Sequence, residues 1–167
     1  MASGLVRFGL TTHRFRSRRH VVVFALVMLL FPTLVRAQSV RLWFGVWKLN
    51  VARSSFSGPP PYRRSTRRIE PSERGVKIVD DLVRPRGGVV HLEWIGRFDG
   101  LDYPVQGTEV VLTNAYRCED DRTCELVQKL DGEVVVTARL TISPDGKLLT
   151  TVAAGQPASF MTVYERQ

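Results

Sequence analysis

Residues 124–142 read CELVQKLDGEVVVTARLTI, and this stretch decides the fold class. In its second half, apolar residues stand at every second position, which is typical of a half-buried strand because successive side chains point to opposite faces. These residues are Val134, Val136, Ala138, Leu140 and Ile142. Asp131-Gly132 separates them from a second such run, and this dipeptide favours a two-residue hairpin because both central positions need positive φ. The stretch therefore predicts a β-hairpin.

The same period of two recurs along the rest of the chain. The further runs are Val76–Asp80, Val90–Phe98, Val110–Tyr116, Leu148–Val152 and Phe160–Tyr164. Turn residues separate them: Asp99-Gly100 predicts another two-residue hairpin, and Arg86-Gly87-Gly88 and Pro144-Asp145-Gly146 predict turns. Arg53–Pro61 is predicted to be a long loop, since its prolines lack the donor that a central strand needs.

This succession of short strands predicts an all-β antiparallel meander of 8–10 strands. A meander leaves two exposed strand edges unless it closes on itself. We therefore expect a closed up-and-down barrel, with a two-sheet β-sandwich as the alternative.

Residues 1–37 have the three parts of a secretory signal peptide. A basic segment at 14–20 precedes the apolar segment 21–34, and Val35-Arg36-Ala37 offers small residues for cleavage before Gln38. The sequence thus predicts a single mature domain at 38–167. The protein is expected to be exported, either periplasmic or secreted, and to contact the membrane only during export. The alternative is an uncleaved inner-membrane anchor through residues 21–34, although a spanning helix needs about 20 residues. Ser17-Arg18-Arg19 also resembles a twin-arginine export signal.

The net charge of +8 belongs mostly to this leader. Residues 1–37 contain six arginines and no acidic residue, so the mature part keeps 24 − 6 = 18 basic against 16 acidic residues, a net of +2. A nucleic-acid partner therefore has no support from charge.

Cys118 and Cys124 are predicted to form a disulfide across a hairpin, because exported chains fold in oxidising compartments. A redox motif would place two residues between them, and a zinc site would need four ligands. His91 is the sole histidine after the leader. The acidic loop Glu119-Asp120-Asp121 lacks the spacing and the glycine of a calcium loop. We predict no metal and no cofactor.

Two motifs carry a family resemblance: Gly45-Val46-Trp47-Lys48-Leu49-Asn50 and the segment 98–107, FDGLDYPVQG. Together they resemble a family of small exported proteins of environmental bacteria whose function is uncharacterised. The Gly45-x-Trp47 opening is also similar to the first strand of lipocalins, in which the tryptophan closes one end of the barrel. The resemblance implies a barrel and no activity.

The residues show no catalytic constellation, because no nucleophile has a positioned base, so we predict a protein that is not an enzyme. The aromatic residues on inward-facing runs suggest a binder of a small apolar or amphipathic ligand inside the barrel. The predicted ligand-binding residues are Trp47, Trp94, Phe98 and Tyr103.

The alternative function is a cell-envelope interaction module that docks an anionic partner through the surface of residues 63–68. The predicted anion-contact residues are Arg63, Arg64, Arg67 and Arg68. On a strand, Arg67 would share one face with Ser65, and Arg64 and Arg68 would share the other. A charged edge strand without a partner would explain the same pattern.

Overall fold

The computed structural model describes residues 40–153 and 159–167. The predicted signal peptide and its cleavage site lie outside these residues. The strands are β1 (Gly45–Leu49), β2 (Ser55–Phe56), β3 (Arg64–Ser72), β4 (Gly75–Val83), β5 (Val89–Gly96), β6 (Tyr103–Gln106), β7 (Leu112–Cys118), β8 (Thr123–Leu130), β9 (Glu133–Ile142), β10 (Leu148–Ala153) and β11 (Phe160–Arg166). Two 3-10 helices span Val40–Leu42 and Val51–Arg53. In the described part of the chain no helix has the length and apolarity needed to cross a membrane.

The strands form a closed antiparallel up-and-down barrel of ten strands. They pair in the order β1, β3, β4 and onward to β11, and β1 also pairs with β11, which closes the sheet. The short β2 stays outside the ring and adds to β11 only. The predicted all-β meander and its closure are confirmed, and closure excludes the sandwich.

Arg166 and Trp47 build one end of the barrel. The Trp47 side chain is fully buried, and its indole N–H donates to the Trp43 carbonyl at 3.0 Å. The Arg166 guanidinium lies over the Trp47 ring at 4.1 Å from its centroid and donates to the carbonyls of Phe44 and Leu42. Burial lowers the pKa of Arg166. The arginine thus ties the last strand to the segment that leads into the first, and we call this the closed end.

Cys118 and Cys124 are directly opposite residues of the β7–β8 hairpin, with their sulfur atoms at disulfide distance. The predicted pairing is confirmed. β7 ends and β8 begins at the closed end, so the cross-link lies beside the short turn at residues 119–122.

The hairpin at Asp131-Gly132 is confirmed, with φ values of 50° and 88° at its two residues. The alternation of inward and outward side chains along β9 is interrupted at one position. A bulge lets Gln128 pair with Val136 and Lys129 with Val134, so β9 carries one extra residue. The side-chain faces change across a bulge. Val134 is therefore 57% exposed, whereas Val136 faces the interior.

The two-residue hairpin predicted at Asp99-Gly100 is wrong. β5 ends at Gly96 and β6 begins at Tyr103, so a longer connection joins them. Asp99 organises it, because its carboxylate accepts from the backbone N–H of Leu101 at 3.0 Å and from the Tyr103 hydroxyl at 2.9 Å. The connection also packs closely on the end of β5, since the Tyr103 ring lies 2.6 Å from where a side chain on Gly96 would begin.

The segment between β1 and β3 lies at the opposite end of the barrel from the closed end. It contains the helix Val51–Arg53 and strand β2, and no barrel strand, as predicted for Arg53–Pro61. Phe56, Pro61 and Tyr62 from this segment line the space inside the barrel. We call this the open end, because the cavity inside the barrel extends to these residues.

We expect the double variant Cys118→Ser/Cys124→Ser to unfold with a free energy lower by about 2–3 kcal/mol, because a small closed loop removes little entropy from the unfolded chain. Urea unfolding followed by circular dichroism measures the difference. A reducing agent should lower the stability of the wild type by the same amount and leave the double variant unchanged. A wild type that does not respond to reduction under unfolding conditions would contradict the cross-link.

Candidate functional site: the barrel interior

The interior holds a cavity of about 460 Å³, within the ~300–1,000 Å³ of small-molecule sites. It exists because strand alternation sends every second side chain inward and a ten-stranded ring is wider than these side chains can fill. Apolar lining residues include Leu49, Ile78, Leu82, Leu92, Leu126 and Phe160. Polar lining residues include Arg67, Asp80, Asn114, Gln128, Thr151 and Tyr164. The cavity is therefore amphipathic.

Trp94 marks the aromatic side of this cavity. Its indole N–H donates to the Asn114 carbonyl at 3.1 Å, which satisfies the buried donor. The ring centroids of Tyr116, Tyr103 and Phe98 lie 4.8, 5.8 and 6.2 Å from that of Trp94. These separations are typical of aromatic clusters that fix ring orientation.

The structure brings three of the four predicted ligand-binding residues together. Trp94 lines the cavity, and Phe98 and Tyr103 pack against Trp94. Trp47 lies apart from the lining, under Arg166 at the closed end. Binding of a ligand by these residues stays a prediction.

A buried ion pair is the strongest electrostatic feature of the interior, and the sequence analysis missed it. Arg67 on β3 donates through Nε and Nη2 to the two carboxylate oxygens of Asp80 on β4, at 2.8 and 2.9 Å. The two residues are direct cross-strand partners, and their side chains are 14% and 15% exposed. Such a fork geometry is the strongest form of this interaction. The sequence gives one clue, since Arg67 shares a strand face with Ser65. In the structure Ser65 is buried.

Burial by itself lowers the pKa of Arg67, but the Asp80 carboxylate, together with Tyr116 and Tyr164, holds that pKa well above its ordinary value. The guanidinium thus stays charged, and Asp80 neutralises it inside the barrel. The Tyr164 ring lies 5.7 Å from the guanidinium carbon. The Tyr164 hydroxyl is 2.9 Å from that of Ser65. The pair therefore has an aromatic neighbour, and the hydroxyl of that neighbour is held in place by Ser65.

Two further polar features belong to the lining. Gln128 donates to the Asn114 side-chain oxygen at 2.9 Å, which links β7 and β8 inside the barrel. Thr151 on β10 is 6% exposed, and its hydroxyl has no hydrogen-bond partner among the described residues. A buried hydroxyl without a partner is uncommon and calls for an explanation.

The structure does not bring the four predicted anion-contact arginines together on one surface. Arg67 points inward to Asp80, whereas Arg68 points outward and lies 3.0 Å from Asp81. Arg63 and Arg64 are exposed and have no ion-pair partner in the described ranges. The strand is not an edge, because β3 pairs with both β1 and β4.

His91 lies on the outside of the barrel. Its Nδ1 is 2.7 Å from an Asp81 carboxylate oxygen, and this hydrogen bond, followed by the charge of Arg68, lowers the pKa of Asp81. The histidine side chain is 57% exposed. In residues 40–153 and 159–167, no group of three or more His, Cys, Asp or Glu side chains is placed to hold a metal ion.

The chain matches no model of a known protein family, no curated protein and no solved structure. The cavity and its polar groups are therefore the observations on which a function can be argued.

We expect the stability of the protein to fall as the pH rises above about 10, partly because of two interior tyrosines. Burial raises the pKa values of Tyr116 and Tyr164 above the ordinary 10.0. The folded protein then keeps protons that the unfolded chain releases, and the stability from these groups is lost as the pH rises toward the folded pKa values. Urea unfolding between pH 8 and 11 should give a shallower decline for Tyr116→Phe than for the wild type. Equal slopes would contradict burial of an ionisable hydroxyl at Tyr116.

Proposed function

We propose that this protein is an exported, non-enzymatic carrier that binds a small apolar or amphipathic ligand inside its barrel. The observation that carries the proposal is the amphipathic cavity, whose wall is mostly apolar and carries a set of polar side chains. Ligand sites of this kind take their affinity from the apolar wall and their orientation from the polar groups. Export fits the Cys118–Cys124 pair, because such pairs persist in oxidising compartments.

Binding is tested with N-phenyl-1-naphthylamine, an uncharged apolar dye that fluoresces when it leaves water. The full chain is expressed and the exported product is isolated. We expect saturable fluorescence enhancement with the wild type and weaker dye binding in Val136→Trp, because an indole at that half-buried wall position takes up part of the cavity. The neighbouring Thr137→Trp is the matched control, since Thr137 is exposed on the outside of the same strand. It should bind the dye like the wild type.

Equal dye binding by both tryptophan variants would mean that the dye binds outside the cavity, and no saturable binding by the wild type would refute the carrier. Native mass spectrometry of the same sample tests export. The mass should correspond to a chain that begins at Gln38 and has lost two hydrogens at its cysteines.

A second candidate function is the docking of an anionic envelope partner at the open end. The observation that favours it is a group of exposed arginines there: Arg63 and Arg64 at the start of β3, and Arg84 and Arg86 between β4 and β5. None of the four has an ion-pair partner in the described chain, and β3, β4 and β5 are neighbours in the barrel. Unpaired guanidinium groups suit phosphate and carboxylate oxygens.

We expect Arg63→Glu/Arg64→Glu to abolish co-sedimentation with phosphatidylglycerol vesicles at low salt and to leave dye binding unchanged. The matched control is Arg74→Glu/Arg97→Glu, which makes the same charge change at exposed positions of the closed end. Because surface attraction depends on local charge and is screened by salt, the control should still bind vesicles. Equal loss in both doubles would reduce the effect to net charge, and a wild type that does not bind would refute the docking function.

A further inference from the structure

We infer that the cavity selects uncharged amphiphiles, such as long-chain alcohols, and excludes the carboxylates and amines of the same chain length. This selectivity rests on the proposed carrier function and names its ligand class. It follows from one observation: the charged side chains of the described lining are already paired.

The charged residues among the described lining are Arg67, Asp80 and Glu93. Arg67 and Asp80 pair through two hydrogen bonds, so together they carry no net charge. Glu93 pairs with Lys77 at 2.7 Å. A ligand carboxylate would bring a second anion beside Asp80, and a ligand ammonium would bring a second cation beside Arg67. Since a buried charge without its own partner is strongly disfavoured, either charged ligand loses affinity.

The apolar lining residues cover the chain of an uncharged ligand, and its polar group adds no charge beside the Arg67–Asp80 pair.

The test measures displacement of N-phenyl-1-naphthylamine by decan-1-ol, decanoate and decylamine at pH 8, each below its micellar concentration. We expect decan-1-ol to compete at least about tenfold better than either charged compound, because only the charged compounds leave a buried charge unpaired. In Asp80→Asn, Arg67 loses its compensating charge, so the preference should shift toward decanoate by about tenfold or more. The substitution conserves shape, and the amide oxygen that it introduces still accepts a hydrogen bond.

The outcomes separate this inference from the carrier function. Decanoate that competes as well as decan-1-ol in the wild type would overturn the selectivity and leave the carrier function intact. A wild type that does not bind the dye would refute the carrier function itself. The wild-type comparison stands even if Asp80→Asn fails to fold, which circular dichroism would show.

Discussion

The pairing of β1 with β11 is the contact on which the rest of the structure depends. Without it the sheet would have two open edges and no enclosed space. Arg166 reinforces that pairing: it stacks on Trp47, donates to two carbonyls ahead of β1 and donates to the Gly146 carbonyl at 2.7 Å in the β9–β10 turn. One side chain therefore joins three separate segments at the closed end. The arginine fork suits this task because it presents five donors in a fixed plane.

Local patterns predicted most of the architecture, because period-two alternation and turn dipeptides act over a few residues. The Asp131-Gly132 hairpin and the cysteine pair followed from such patterns. Features that depend on pairing between strands did not. The bulge that exposes Val134 is a property of β8 and β9 together. The two-residue turn at Asp99-Gly100 was wrong: the Asp99 carboxylate holds a longer connection through Leu101 and Tyr103, contacts that sequence spacing does not show.

The candidate site was harder to predict than the fold for a related reason. Aromatic residues on inward faces were recognised: Trp94 lines the cavity, and Phe98 and Tyr103 pack against Trp94. Arg67 and Asp80 were not, since a charged residue in an alternating strand is ordinarily read as outward-facing. Only the register of β3 against β4 places them opposite each other. A buried ion pair is a weak source of stability, because desolvation offsets much of the attraction. Its main effect here is to give an apolar cavity a polar centre without net charge.

The lining of the cavity comes from both ends of the described chain, with Leu49 on β1 and Tyr164 on β11. The cavity wall is therefore incomplete until β11 pairs with β1. Pairing between segments so distant in sequence is a slow kind of step in folding. A ligand in the cavity binds only the closed barrel. Its binding free energy therefore stabilises the whole ring against opening, and not any single hairpin. Occupancy of the cavity by a ligand and global unfolding of the barrel are then coupled equilibria.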